Sequence, residues 1–408
     1  MIAIRCSALF DGTSFMPAGA TVVVDGAAIV GIEAGHPDVG ADVEVVEFGE
    51  ATVLPGLIDT HVHLVADSGP NALDLVEGYS DAEVDAVVTR SLAAHLAAGV
   101  TTVRDLGDRR FAVVDRRDAQ RAGRSRVTEP TILASGPPLT SPRGHCYYLG
   151  GEVSGPVEIE AAVRERIDRG VDVVKVMASG GMTTTGTDIM LPQFSLDELR
   201  LIVEIAHAAG IPVTAHAHAL AAVEISLAAE VDGIEHCGCL TPQGPRVPDE
   251  VLHALVGRQI PVGAALMSPP PVSYDQAPPN IRKMMAQFGV TPEQFLELRR
   301  AAAGRMHAAG VRFVGGSDAG INTFMAHGLM RSALDFLVSA GATVAEALAA
   351  GTSLAAAACG FGSRKGLVRN GFDADLILVD GGFGADLAPL GRVRQVMLGG
   401  RFVPAGTG

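Results

Sequence analysis

The sequence predicts an α/β protein: a (β/α)8, or TIM, barrel with a small β-sandwich domain built from both chain termini. Three observations predict it. Short apolar segments alternate with Ala-rich amphipathic segments over about 300 residues, the pattern of a parallel sheet with crossover helices. Both ends instead carry short alternating segments separated by Gly-containing turns. In the middle, polar residues recur at the C-terminal end of one apolar segment after another, which is the face where such barrels place their active sites.

Taken in order, "TVVVDGAAIVGIE" reads as a hairpin around Asp25-Gly26, a favoured two-residue turn. Barrel strands are predicted near residues 57–63, 100–105, 131–135, 171–177, 211–217, 231–236, 260–265 and 312–318. Between them, "LRLIVEIAHAAG", "LAAVEISLAAE", "PDEVLHALVGRQ" and "PEQFLELRRAAAGRMHAAG" repeat apolar residues at helical spacing. Ser268–Asn280 is Pro-rich and predicts a loop over one barrel mouth, and "GGMTTTGTDIMLPQFS" predicts a flap after the fourth strand. "DADLILVDGG" and "VRQVMLGGRFVPAG" return to strands and Gly turns. The expected domains are 1–56 plus 359–408 for the small sandwich and 57–358 for the barrel.

Composition narrows the function classes. A 408-residue chain that is 48% hydrophobic can bury a large core, and with 4% aromatics and no Trp that core is mainly Ala, Val and Leu. The net charge of −15 argues against nucleic acid or an anionic membrane as partner, because both need basic patches. Five scattered cysteines make no disulfide framework. The start "MIAIRCSALFDGTS" shows no basic segment followed by an apolar one, and 18 uninterrupted apolar residues occur nowhere, so a cytoplasmic protein without a membrane span is expected. A mean hydropathy of +0.30 leads to the expectation of a homo-oligomer.

The chemistry starts from Lys175. Four of the six residues from Val171 to Val176 are valine, and only three of the 31 basic residues are lysines. A desolvated lysine can lose its proton and act as a nucleophilic amine, whereas guanidinium stays charged. A neutral amine can take up CO2 to form an anionic carbamate whose two oxygens can bridge a pair of divalent cations. Candidate ligands end the other strands. His61 and His63 close the first, and residues i and i+2 share a face, so both imidazoles can reach one ion. His216 and His218 close the fifth, His236 the sixth and Asp318 the eighth. Each alone has an ordinary structural reading, as a core histidine or a helix cap. The case rests on five strands delivering N or O ligands to one rim.

"LPGLIDTHVHL", "VVKVMASGG", "TAHAHA", "GIEHCG" and "GSDAG" resemble, in this order, the motifs of the amidohydrolase superfamily. "KVMASGG", Gln193–Ser195 and the "HAH" strand end are closest to its imidazolonepropionase-like and prolidase-like branch, which includes Xaa-Pro dipeptidases and peptidyl-amino-acid carboxypeptidases. The resemblance implies that His61 and His63 bind a more buried metal, that carboxylated Lys175 bridges, and that His216 and His236 bind a second metal. It implies that Asp318 binds the first metal and acts as the base. His216 is favoured over His218 as ligand, leaving His218 to touch substrate. Zinc is the expected ion, with manganese, iron or cobalt able to substitute.

Substrate contacts are expected from "SPRGHCYY" after the third strand: Arg143, His145, Tyr147 and Tyr148, with the resemblance favouring His145. Met177, Met182, Met190, Met267 and Met325 point to an adaptable apolar pocket. Cys237 and Cys239 are read as packing residues, and Glu235 as facing away from the ion; an inward-facing Glu235 would instead favour a one-metal, deaminase-like chemistry. The expected reaction is hydrolysis of an amide in a small molecule: a dipeptide, an N-acyl amino acid, or a related xenobiotic amide or carbamate. The alternatives are a one-metal deaminase or cyclic C–N hydrolase, and a non-catalytic scaffold.

Overall fold

A parallel strand forms at each of the eight predicted barrel positions, in most cases shorter than the apolar run behind it. The structure is a computed structural model that describes residues 1–16, 18–125, 127–265 and 279–404. The strands are β1 (Leu57–Val62), β2 (Val100–Asp105), β3 (Thr131–Ala134), β4 (Val174–Met177), β5 (Val213–His216), β6 (Gly233–Glu235), β7 (Val262–Gly263) and β8 (Phe313–Val314). All their residues are buried except half-buried Thr131, as expected for parallel strands covered on both faces.

β1, β2 and β3 pair in one sheet, and β4 to β8 pair in sequence order in another. Main-chain bonds continue beyond these ladders. Asp318 N–H donates to the His61 carbonyl (2.8 Å) and His63 N–H to the Ala319 carbonyl (2.9 Å), so the chain leaving β8 runs beside β1. Leu139 N–H donates to the Lys175 carbonyl and Met177 N–H to the Leu139 carbonyl, both at 2.8 Å. The chain leaving β3 therefore runs beside β4.

Helices α1 (Asp81–Ala97), α2 (Ala112–Arg121), α3 (Gly155–Asp168), α4 (Leu196–Ala208), α5 (Leu220–Ala228) and α6 (Asp249–Gly257) alternate with the strands. Ser80 with Glu83, and Ser195 with Glu198, form reciprocal caps that satisfy the first free N–H groups of α1 and α4. Leu199, Ile202, Val203 and Ala206 recur at three- and four-residue spacing and bury one face of α4. Two helices, α7 (Pro279–Phe288) and α8 (Pro292–Ala308), separate β7 from β8. The sequence reading finds only α8, although Ile281, Met284, Met285 and Phe288 carry the helical spacing of α7. Most of the Pro-rich Ser268–Asn280 segment, and Met267, lie outside the described residues.

The chain ends form two further sheets. One has four strands: Ala28–Ala34, Ala20–Asp25, Ile2–Cys6 and Glu44–Glu47. The predicted hairpin is present, with Gly26 at φ +55°, a left-handed turn position that glycine takes without strain. The other has six strands and joins the termini, with Leu376–Asp380 antiparallel to Ala51–Pro55. Ile4, Val22 and Ile29 of the first sheet and Leu9, Val53, Leu376 and Met397 of the second bury into one shared apolar cluster. Among the described residues, no helix is long and apolar enough to cross a membrane.

Candidate metal centre and active site

Two groups of ligand-bearing side chains meet at the C-terminal ends of the parallel strands. His61, His63 and Asp318 form one, His216, His218 and His236 the other, and within each group the ligand atoms lie within 4.8 Å of one another. Asp318 Oδ1 is 3.3 Å from His61 Nε2 and 3.2 Å from His63 Nε2. The groups adjoin: the His61 and His236 ring centroids are 5.3 Å apart, and those of His216 and His236 4.7 Å.

The opposite edges of these rings are held by the protein. His61 Nδ1 contacts Glu235 Oε2 (3.1 Å), His63 Nδ1 the Gly107 carbonyl (3.1 Å), and His236 Nδ1 the Ala265 carbonyl (2.7 Å). Each contact assigns the proton to Nδ1 and leaves Nε2 free as a ligand. His216 is reversed. Its Nε2 lies 3.3 Å from the Gly180 carbonyl, which leaves Nδ1 for an ion. Burial holds His236 down to about 3, and His216 and His218 well below the usual imidazole range, so all three rings are neutral and able to ligate. For Asp318 burial pushes upward, but His61, His63 and His236 outweigh it and hold the carboxyl well below its ordinary value. It is an anion at neutral pH.

Lys175 Nζ is buried and has no hydrogen-bond partner. Burial, the largest influence, lowers the amine from 10.5 to about 8, which represents about 3 kcal/mol against keeping the charge. Its charge acts on His61, His145, His216 and His236, which places it among both ligand groups. An orphaned, readily deprotonated amine between two clusters of N and O ligands fits divalent cations. In a metal-free role this donor would need a hydrogen-bond acceptor.

Glu235 corrects the sequence reading. Strand alternation turns it away from His236, yet both side chains face the interior. β6 ends at Glu235, and His236 takes φ +67°, as Cys237 takes +45°, so alternation stops before the ligand. The carboxylate sits behind the His61 ring, not at the ligand face. It accepts from Arg104 Nη2 (3.0 Å) and Thr214 Oγ1 (2.9 Å). Burial pushes its pKa upward, but the His61 hydrogen bond and nearby positive charge hold it far below the carboxylate range. Gly263 on β7 makes room for it, since a Cβ there would lie 2.0 Å from Glu235 Oε2. Glu235→Gln should therefore leave a folded protein whose metal affinity is about 10–100-fold weaker. Chelator competition measures this, and an unchanged affinity would mean that His61 needs no such support.

A second buried carboxylate braces the loop that carries Asp318. Asp59 accepts from Ser317 Oγ (2.5 Å), Ser317 N–H (3.0 Å) and His61 N–H (3.2 Å). Sequence reasoning missed Asp59, Arg104, Thr214 and the role of Glu235, although "LIDTH" and "GIEH" place an acid beside the ligands in plain view.

The expected substrate contacts are placed unevenly. The His145 ring lies 4.5 Å from that of His216. Thr184 Oγ1 holds its Nδ1 at 2.8 Å, and its N–H donates to Gln193 Oε1 at 2.6 Å. Burial lowers His145 to about 3, so it is neutral. His218 is grouped with the ligands, and its Nδ1 is buried without a partner. Tyr148 is buried, with its hydroxyl 3.2 Å from Thr184 Oγ1. Tyr147 is half-buried, and Arg143 is exposed with its guanidinium 4.4 Å from the Tyr147 ring centroid. Met182 and Met190 pack on an apolar cluster of Ile189, Leu240, Met284, Met285 and Phe295, which ties the flap after β4 to α7 and α8. Asn280 Nδ2 fastens the same flap through the Gly181 (3.0 Å) and Thr184 (2.8 Å) carbonyls. Cys237 and Cys239 are buried within the main core.

Known proteins resemble this chain in sequence and in fold. The chain is 29% identical to ochratoxinase of Aspergillus niger in an alignment 215 residues long that covers 45% of this chain and 43% of that protein. The aligned part thus spans less than half of that relative. A crystal structure of an Xaa-Pro dipeptidase with bound methionine superposes with a TM-score of 0.85 at 24% identity, covering 99% of this chain and 100% of the other. A prolidase complexed with N-methylphosphonate-L-proline gives 0.79 at 26% identity, covering 98% and 99%. The sequence pattern of the amidohydrolase family matches residues 52–403. The chain therefore belongs to the amidohydrolase family.

Proposed function

We propose that this protein is a binuclear hydrolase that cleaves an amide bond in a small molecule such as a dipeptide or N-acyl amino acid. The reading is carried by one observation: the buried Lys175 amine has no partner, and its charge acts on members of both ligand groups. A one-metal deaminase would need only one such group and would have no use for the lysine. The names of the similar proteins, a dipeptidase, a prolidase and ochratoxinase, favour a peptide-like amide.

In this reading the eight strands close into a (β/α)8 barrel over 57–358, supported by the main-chain bonds that give β1 and β8, and β3 and β4, a shared border. Residues 1–56 and 359–408 form the sandwich domain, supported by the apolar cluster between their two sheets.

His61, His63 and Asp318 would hold one cation, and His216 and His236 the other. A carbamate on Lys175 would be shared by both. Zinc suits this set of imidazole nitrogens and carboxylate oxygens. When bound, the cations would supply Lewis acidity and a hydroxide nucleophile near neutral pH. The remaining work belongs to the chain. Asp318, ionised and beside the first ligand group, accepts the proton of the attacking water and delivers it to the departing nitrogen. Neutral His145, fixed by Thr184, donates a hydrogen bond to the carbonyl oxygen as charge develops there. The flap after β4, fastened to α7, keeps bulk water from the bond being broken.

Metal analysis with a substrate screen tests this reading. About two ions per chain should accompany turnover of some dipeptide or N-acyl amino acid. One ion per chain, with ammonia released from a cyclic amidine or an aminopurine, would support the deaminase instead.

A further inference from the structure

Three segments meet around the His145 ring. The loop after β3 carries it, and the flap after β4 grips it at both ends. Gly181 lies so close to the ring that a Cβ there would fall 2.1 Å from Cε1, which only glycine allows. Thr184 Oγ1 meets the ring edge at Nδ1 (2.8 Å). Gln193 Oε1 accepts the His145 N–H, and Gln193 Nε2 donates to the Met177 carbonyl (2.7 Å) at the end of β4. The third segment is α7. Asn280 Nδ2 donates to the Gly181 and Thr184 carbonyls, so it holds the same two flap residues that touch the ring. A flap that served only as a cover would need no such match.

The Thr184 hydroxyl is buried and fully used. It has one proton and two lone pairs. Cys146 N–H (3.1 Å) can only donate, and it takes one lone pair. Tyr148 Oη (3.2 Å) and His145 Nδ1 remain, so one donates to Thr184 and the other accepts from it. A phenol is the stronger acid of the two hydroxyls and the better donor. Tyr148 therefore fills the second lone pair, and the Thr184 proton goes to Nδ1. A neutral imidazole carries one proton, which is then on Nε2. The reverse order would need Tyr148 to donate elsewhere. Among the described residues its other acceptors are Cys146 Sγ at 3.8 Å, a weak one, and Asp74, which is exposed to water. We propose that Thr184 and Asn280 are positioning residues: Asn280 seats the flap, and the seated Thr184 fixes His145 with its proton on Nε2, free to donate to the substrate carbonyl. The carbonyl rests on the amide-hydrolase reading, whereas the place of the proton rests on these contacts.

Nitrogen NMR of the histidine-labelled, zinc-loaded protein tests this, together with turnover of N-acetyl-L-amino acids and dipeptides. The His145 signals, assigned by their loss in His145→Gln, should show a protonated Nε2 and an unprotonated Nδ1. Thr184→Val, which keeps the shape of the side chain, should mix the two forms and lower kcat by about 100-fold. Asn280→Ala should do the same in part, by about 10-fold. KM and metal content should stay near those of the parent, which a general loosening of the fold would not leave intact. Thr184→Ser should keep both the signals and the rate. The double variant should lose no more than Thr184→Val alone. Lys283→Ala, exposed on α7, should change neither. A proton on Nδ1 in the parent, unaltered signals in Thr184→Val, or losses that multiply in the double variant would overturn the proposal. The expected signals without cleavage of any compound would uphold the positioning and count against the hydrolase. Cleavage at the parent rate by both single variants would do the reverse.

Discussion

Lys175→Met is expected to lower kcat/KM by roughly 10^4-fold or more, about 5 kcal/mol of transition-state stabilisation. The loss should appear first as metal. The variant should hold one ion or none where the natural protein is expected to hold two, because the proposed shared ligand would be gone. Native mass spectrometry of the unaltered protein should show the added mass of one CO2, lost on acidification, and the variant should lack it. Stability should move the other way. Methionine replaces a buried amine that has no acceptor in the metal-free chain, within a strand flanked by Val174 and Val176. Removing an unsatisfied buried donor relieves its desolvation cost, so the metal-free variant should unfold at a denaturant concentration no lower than the metal-free parent. A variant that kept both ions and full turnover would end the carbamate reading, however well it folded.

The second large effect is expected from Asp318→Asn. The substitution keeps the shape of the side chain and an oxygen facing His61 and His63, but removes the charge and the ability to carry a proton. A loss of about 10^2–10^4-fold in kcat with little change in KM is the expected result, because the proton is in transit only in the transition state. Metal content should fall less than in Lys175→Met, since His61 and His63 remain. If kcat were preserved and only metal affinity fell, Asp318 would be a ligand and no more. The brace beneath it matters here. Asp59 fixes the Ser317 main chain and hydroxyl, and Asp318 itself sits at φ +55°, a conformation that a free loop would seldom hold.

The residues that the structure brings together were legible because their signals are local. His61 and His63 are two apart at the end of an apolar run, and Lys175 interrupts a run of valines. The supporting contacts were not legible in the same way. Glu235 reaches His61 across 174 positions, and Asp59 reaches Ser317 across 258. Strand periodicity also misdirected Glu235, because the left-handed turn at His236 ends the alternation one residue before the ligand. Helix α7 was missed although its apolar spacing was present, since the Pro-rich stretch before it reads as the start of a longer loop.

From sequence alone came the residue types of the site, the order of the strands that carry them, and a lysine whose presence in an apolar strand called for chemistry. Those follow from periods of two and 3.6 residues, which any short window contains. Only the tertiary structure decided which imidazole nitrogen is free and which carboxylate stands behind His61. Each of these depends on where backbone segments far apart in the chain come to rest against one another, and no local spacing encodes that distance.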